Sequence, residues 1–218
     1  MPGRQSEVSC GRALAGHRIA SGFDYRRVHQ VKNMLEINPD KLGNLEVEFW
    51  KAHNNHDEPG VFEFLVKYNM SFYGFTEAEA NNSVQHLITA VRYHDKKEWV
   101  KATEEVEKYY QNLKSKTLLQ FNPKQMAELE VGWWHLHDKL EHDPDKSSLA
   151  KAFSKLYATQ FDIKEEKMSE AGRLKAEATR EHDVAEDYNT PTNKVDKHWN
   201  NAERLLIEFY TELQRVTG

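Results

Sequence analysis

Apolar side chains recur every three or four positions through most of the chain and are interrupted at Asn-Pro, Pro-Gly and Asp-Pro steps, a rhythm that predicts a succession of amphipathic helices. After Asn38-Pro39, whose Asn can cap free amides and whose Pro fits a first turn, Leu42, Glu46, Phe49, Trp50, His53 and Asp57 fall within an arc of roughly 100°. Glu58-Pro59-Gly60 reads as the end of that helix, and Val61 to Tyr73 as a second one with Phe62, Leu65, Val66, Asn69 and Phe72 turned inward. Thr76 with Glu79 forms a capping box that opens a third helix through Val84, Leu87, Ala90 and Val91 to His94. Asp95 with Glu98 is a similar signature, opening a fourth through Trp99, Ala102, Val106, Tyr109, Tyr110 and Leu113.

The same order then returns. Leu129, Glu130, Val131, Trp134 and His137 lie 84 residues after Leu45, Glu46, Val47, Trp50 and His53, and Asn122-Pro123 has the same offset from Asn38-Pro39. Ser148 to Phe161 and a stretch from Asp162 or Lys164 to His182 follow as the second and third helices of the repeat, with His182-Asp183 88 residues after His94-Asp95. Beyond Pro191, Trp199, Ala202, Tyr210 and Leu213 stand 100 residues after Trp99, Ala102, Tyr110 and Leu113. The expected fold is therefore all-α: an internally duplicated helical bundle, two four-helix units about an approximate two-fold axis, each burying its apolar faces against the other. The expected divisions are 1–37, a glycine-containing arm with a short helix from Asp24; 38–116, the first repeat; and 117–218, the second, with the two repeats sharing one globule.

Composition narrows the class. Charged residues make up 30% of the 218, mean hydropathy is −0.84 and Pro is scarce, as expected of helices with solvated outer faces. A net charge of −5 and a pI near 6.1 argue against nucleic-acid binding. No apolar run approaches the roughly 18 residues of a membrane span. One cysteine, Cys10, precludes an internal disulfide and agrees with a reducing, cytoplasmic setting, although Arg4, Arg12 and Arg18 leave organelle targeting open.

Chemistry is sought in what both repeats keep: Glu46, His53, His94 and Asp95, and then Glu130, His137, His182 and Asp183. Glu and His seven apart lie two turns along one helical side, about 10 Å. With His94 or His182 reaching in from a third helix, Glu46, His53, His94, Glu130, His137 and His182 form a candidate metal set suited to iron, manganese or zinc. Glu46-x6-His53 and Glu130-x6-His137 resemble the first-helix ligand pair of haem-oxygenase-like di-iron oxidases, a resemblance that implies a non-haem di-metal oxidoreductase in a helical fold. That family's late-helix series of histidine, acid and histidine is not reproduced by His182, Asp183 and Asp187.

Plainer readings stand beside this one. Trp50, Trp99, Trp134 and Trp199 read as core anchors, Asp95 as a helix cap, and Asp183 as a surface residue. His53 and His137 read equally as core histidines bonded to nearby acids, and His56 and His142 as solvent-exposed. No phosphate-binding glycine loop, paired-cysteine zinc motif or nucleophile elbow is present. The function expected is thus metal binding; the alternatives are an interaction module for a protein partner, and a pocket for an apolar or tetrapyrrole ligand with His94 or His182 as contact.

Overall fold

The computed structural model describes residues 37–218, so the expected arm and its short helix lie outside the described residues. Eight α-helices follow, with no strand among the described residues: α1 Pro39–Asn54, α2 Glu58–Tyr73, α3 Glu77–Asp95, α4 Trp99–Lys116, α5 Pro123–Leu140, α6 Ser147–Phe161, α7 Ser169–Glu186 and α8 Thr192–Thr217. A 3-10 turn, Glu165–Met168, precedes α7 and takes up the start that the sequence pattern assigned to the helix itself.

Side-chain caps mark four of the eight helix starts. The Asn38 and Asn122 side chains accept the amides of Lys41 and Gln125 at 3.0 and 3.2 Å, and Pro39 and Pro123 occupy first turns that need no donor. Thr76 and Glu79 make both bonds of the capping box. Two expectations fail. Glu58-Pro59-Gly60 does not end α1 but opens α2: Asp57 accepts the Gly60 amide at 3.1 Å, and Pro59 serves as a first-turn residue. Asp95 does not cap α4 but is the last residue of α3; the chain reverses through Lys97, at φ 60°, and Glu98 takes the cap position without a side-chain bond.

Packing follows the chain. Each helix rests principally on its neighbours in sequence, and α8 closes back against α1. The eight helices thus form a closed circuit, and buried side chains from all of them join one hydrophobic cluster that includes Leu42, Val84, Leu113, Met126, Phe153, Leu206 and Tyr210. Amphipathic helices arranged this way bury their apolar faces toward a common middle. No described helix is long and apolar enough to cross a membrane.

Candidate functional site

A cavity of about 400 Å³ lies within the circuit, lined from seven helices, α1 to α7. Its walls are largely aromatic, with Phe49, Trp50, Trp133, Trp134, Tyr109 and Tyr110 among them. All six residues of the expected metal set, Glu46, His53, His94, Glu130, His137 and His182, line it. Six carboxylates, Glu46, Asp95, Glu130, Asp138, Glu141 and Glu186, face a single lysine, Lys175, so the chamber favours positive charge.

The six do not meet at one point. Glu46 is bonded by Lys175 Nζ and by the Tyr210 hydroxyl, the latter at 2.6 Å to Oε2. Glu130 accepts Tyr110 Oη at 2.9 Å on Oε2 and Trp134 Nε1 at 3.2 Å on Oε1. Burial pushes the Glu130 carboxyl above its usual range, and these donors pull only part of the way back. Burial likewise holds the Tyr110 and Tyr210 hydroxyls well above theirs, which keeps both as donors. His53 is exposed at the C-terminal end of α1. His94 packs against Trp99 and Trp134, with ring centroids 4.9 and 5.6 Å away, and His182 against Trp50 and Trp199 at 4.9 and 5.6 Å.

His137 and His182 do converge, and Asp183 joins them. His137 Nε2 and His182 Nδ1 lie 2.7 and 3.2 Å from the same oxygen, Asp183 Oδ1. One donor atom from each of the three lies within 4.8 Å of the others, which makes them the only such grouping of histidine and acid among the described residues. The reading of Asp183 as a surface residue is therefore wrong: its side chain is 5% exposed, held between His137 of α5 and Lys146 of the following loop rather than in water. His182 Nε2 lies 2.9 Å from Glu186 Oε1, one turn further along α7.

The charges around this cluster explain its protonation. Burial opposes an imidazolium at His182, but Asp183 and Glu186 outweigh it and raise its pKa to about 9. Burial also disfavours the Asp183 carboxylate, yet His137, His182 and Lys146 together hold its pKa well below the usual range. Lys146, which sequence reasoning passed over, lies 2.7 Å from Asp183 Oδ2 and donates to the carbonyls of Leu140 and Glu141 at the end of α5. A loop lysine carries no periodic signal. Lys175, also passed over, did carry one, since it interrupts the buried row of Ala171, Leu174 and Ala178 on α7.

Comparison with known protein families, with curated proteins and with solved structures finds no match to this chain.

Proposed function

We propose that this protein binds a metal ion at the wall of its central cavity, through His137, His182 and Asp183, and acts on a small molecule admitted beside it. The observation that carries the reading is the convergence of two imidazoles and one carboxylate on a single point. Two histidines and one carboxylate with open positions form a set that suits Fe(II), and that also accepts manganese or zinc. Glu186 beside the far nitrogen of His182 would fix that ring's orientation, as acids do behind ligating histidines. The bound ion would supply Lewis-acid or redox chemistry, and the aromatic walls would seat an apolar substrate. A di-metal centre using Glu46, His53, His94 and Glu130 has less behind it, because Lys175 and Tyr210 engage Glu46, and Tyr110 and Trp134 engage Glu130.

Two four-helix units related by a two-fold axis form the second part of this reading. It is supported by partners that exchange between halves: Glu46 on α1 takes Tyr210 from α8, while Glu130 on α5 takes Tyr110 from α4. A pocket for an apolar ligand without metal is favoured by the same aromatic lining. A protein-interaction role draws less support, since the large apolar side chains exposed among the described residues are Met70, Val100, Val184 and Tyr188.

Elemental analysis and calorimetric titration with Fe(II), Mn(II) and Zn(II) test the metal site. About one equivalent should bind the wild type and none the His137→Ala/His182→Ala double variant, with a proton released on binding because His182 must be neutral to ligate. Absence of uptake by the wild type, or undiminished uptake by the double variant, would overturn the reading.

A further inference from the structure

At Glu46 the protein supplies its own cation. The Lys175 ammonium is bonded to Glu46 and lies 5.3 Å from the Trp50 ring and 5.1 Å from the Phe209 ring, within the reach of cation–π attraction. Tyr210 donates to the other carboxylate oxygen. Around Glu130 the corresponding positions hold similar groups. Trp134 stands 84 residues after Trp50, Tyr110 stands 100 before Tyr210, and Tyr109 stands 100 before Phe209. Tyr110 and Trp134 both bond Glu130. The cation is what differs. The position 88 residues before Lys175, by the offset that relates His94-Asp95 to His182-Asp183, is Leu87, which also lines the cavity. Glu130 makes no ion pair among the described residues, and Lys175 is committed to Glu46.

We propose that Glu130, framed by Trp134, Tyr109 and Tyr110, binds a primary alkylammonium ligand from the cavity, its cation standing beside Glu130 as the Lys175 ammonium stands beside Glu46. The inference rests on the two-unit reading above and uses no metal. Three further observations support it. Burial disfavours the Glu130 carboxylate, a cost that an adjacent ammonium offsets. The chamber's excess of carboxylates draws cations inward. Trp133 Nε1 is buried at the same wall without a well-formed hydrogen bond, and its side chain joins Tyr110 and Trp134 in favouring the Glu130 carboxylate that an ammonium would meet. The ligand class is thus an amine carried on a flat, apolar frame small enough for about 400 Å³.

Calorimetric titration of the full chain in EDTA, near neutral pH, with 2-phenylethylamine and with the uncharged 2-phenylethanol tests the site. The amine should bind at least about tenfold more tightly than the alcohol. Glu130→Gln should remove that preference, and Leu87→Lys, which tethers an ammonium at the place Lys175 takes in the other half, should abolish amine binding. EDTA keeps metal out of every titration, so a failed metal site leaves this result intact. Equal affinity for amine and alcohol, no binding of either at millimolar concentration, or an unchanged amine affinity in Leu87→Lys overturns the proposal. Should Glu130→Gln not fold, the amine-to-alcohol ratio on the wild type and the Leu87→Lys result decide.

Discussion

Lys146 Nζ lies 2.7 Å from Asp183 Oδ2, with the two side chains only 4% and 5% exposed, so an ion pair closes the loop after α5 onto the last turn of α7. Both charges have left water, and each depends on the other for compensation. Removing the lysine strands the acid, although His137 and His182 still hold its second oxygen. Lys146→Ala should therefore cost about 3 kcal/mol, near the low end for breaking a buried pair. The carbonyls of Leu140 and Glu141 lose their donor as well. Urea unfolding of wild type and variant measures the difference. A loss below roughly 1 kcal/mol, the range of surface pairs, would mean that this pair is hydrated in solution.

The His182 proton gives the fold a pH dependence of known sign. The folded pKa of about 9 lies above the ordinary 6.5, so the folded chain holds a proton that the unfolded chain releases as pH passes 6.5. The stabilisation is complete below about pH 6.5 and is lost as pH rises to about 9, by at most about 3 kcal/mol. Asp183 contributes in the opposite sense: its depressed pKa stabilises the fold above the ordinary carboxylate range, and that contribution disappears as pH falls through the folded value. Unfolding free energies measured in EDTA from pH 5 to 10 should decline across the upper window. The His182→Gln variant should lack that decline.

The helices and their starts are legible wherever a side chain acts on its own segment. Asn38, Asn122 and the Thr76–Glu79 pair announce helices because capping is a matter of three residues. Glu58-Pro59-Gly60 misleads because the same Pro that stops one helix also starts the next, and only the Asp57 bond to Gly60 decides between them. Periodicity brought the six acids and histidines to one interior but not to one point. Glu46 is engaged by Lys175 and Tyr210 from helices remote in sequence, and Glu130 by Tyr110 from the preceding helix. Asp183 looked like a surface residue because an acid near a helix end usually is one; its burial depends on Lys146, 37 positions earlier.

Tyr110 and Tyr210 offer a direct test of the paired halves. Each donates its buried hydroxyl to a carboxylate of the cavity, at 2.9 and 2.6 Å, and each sits at 4% exposure or less. Hydrogen bonds to charged acceptors contribute about 1.5 to 3 kcal/mol, so Tyr110→Phe and Tyr210→Phe should each cost about 2 kcal/mol. The two substitutions touch different carboxylates, and the double variant should show nearly additive losses. Strong coupling between them in a double-mutant cycle would show the cavity responding as one hydrogen-bonded unit rather than as two.

Gly172 and Gly132 make the last comparison, since both sit inside helices and differ only in what a methyl group would meet. On α7, a Cβ at residue 172 would lie 2.1 Å from Ser154 Oγ, 2.4 Å from the Ala150 carbonyl and 2.8 Å from the Ser154 amide, so two backbones would have to separate. On α5, a Cβ at residue 132 would meet nothing within 4 Å. Gly172→Ala should destabilise by about 2 to 3 kcal/mol through overpacking where α6 meets α7. Gly132→Ala should stabilise by roughly 0.5 to 1 kcal/mol, because alanine restricts the unfolded chain and favours the helix. Chemical denaturation of the two single variants decides. Opposite shifts are required, and a neutral Gly172→Ala would mean that α6 and α7 do not approach so closely in solution.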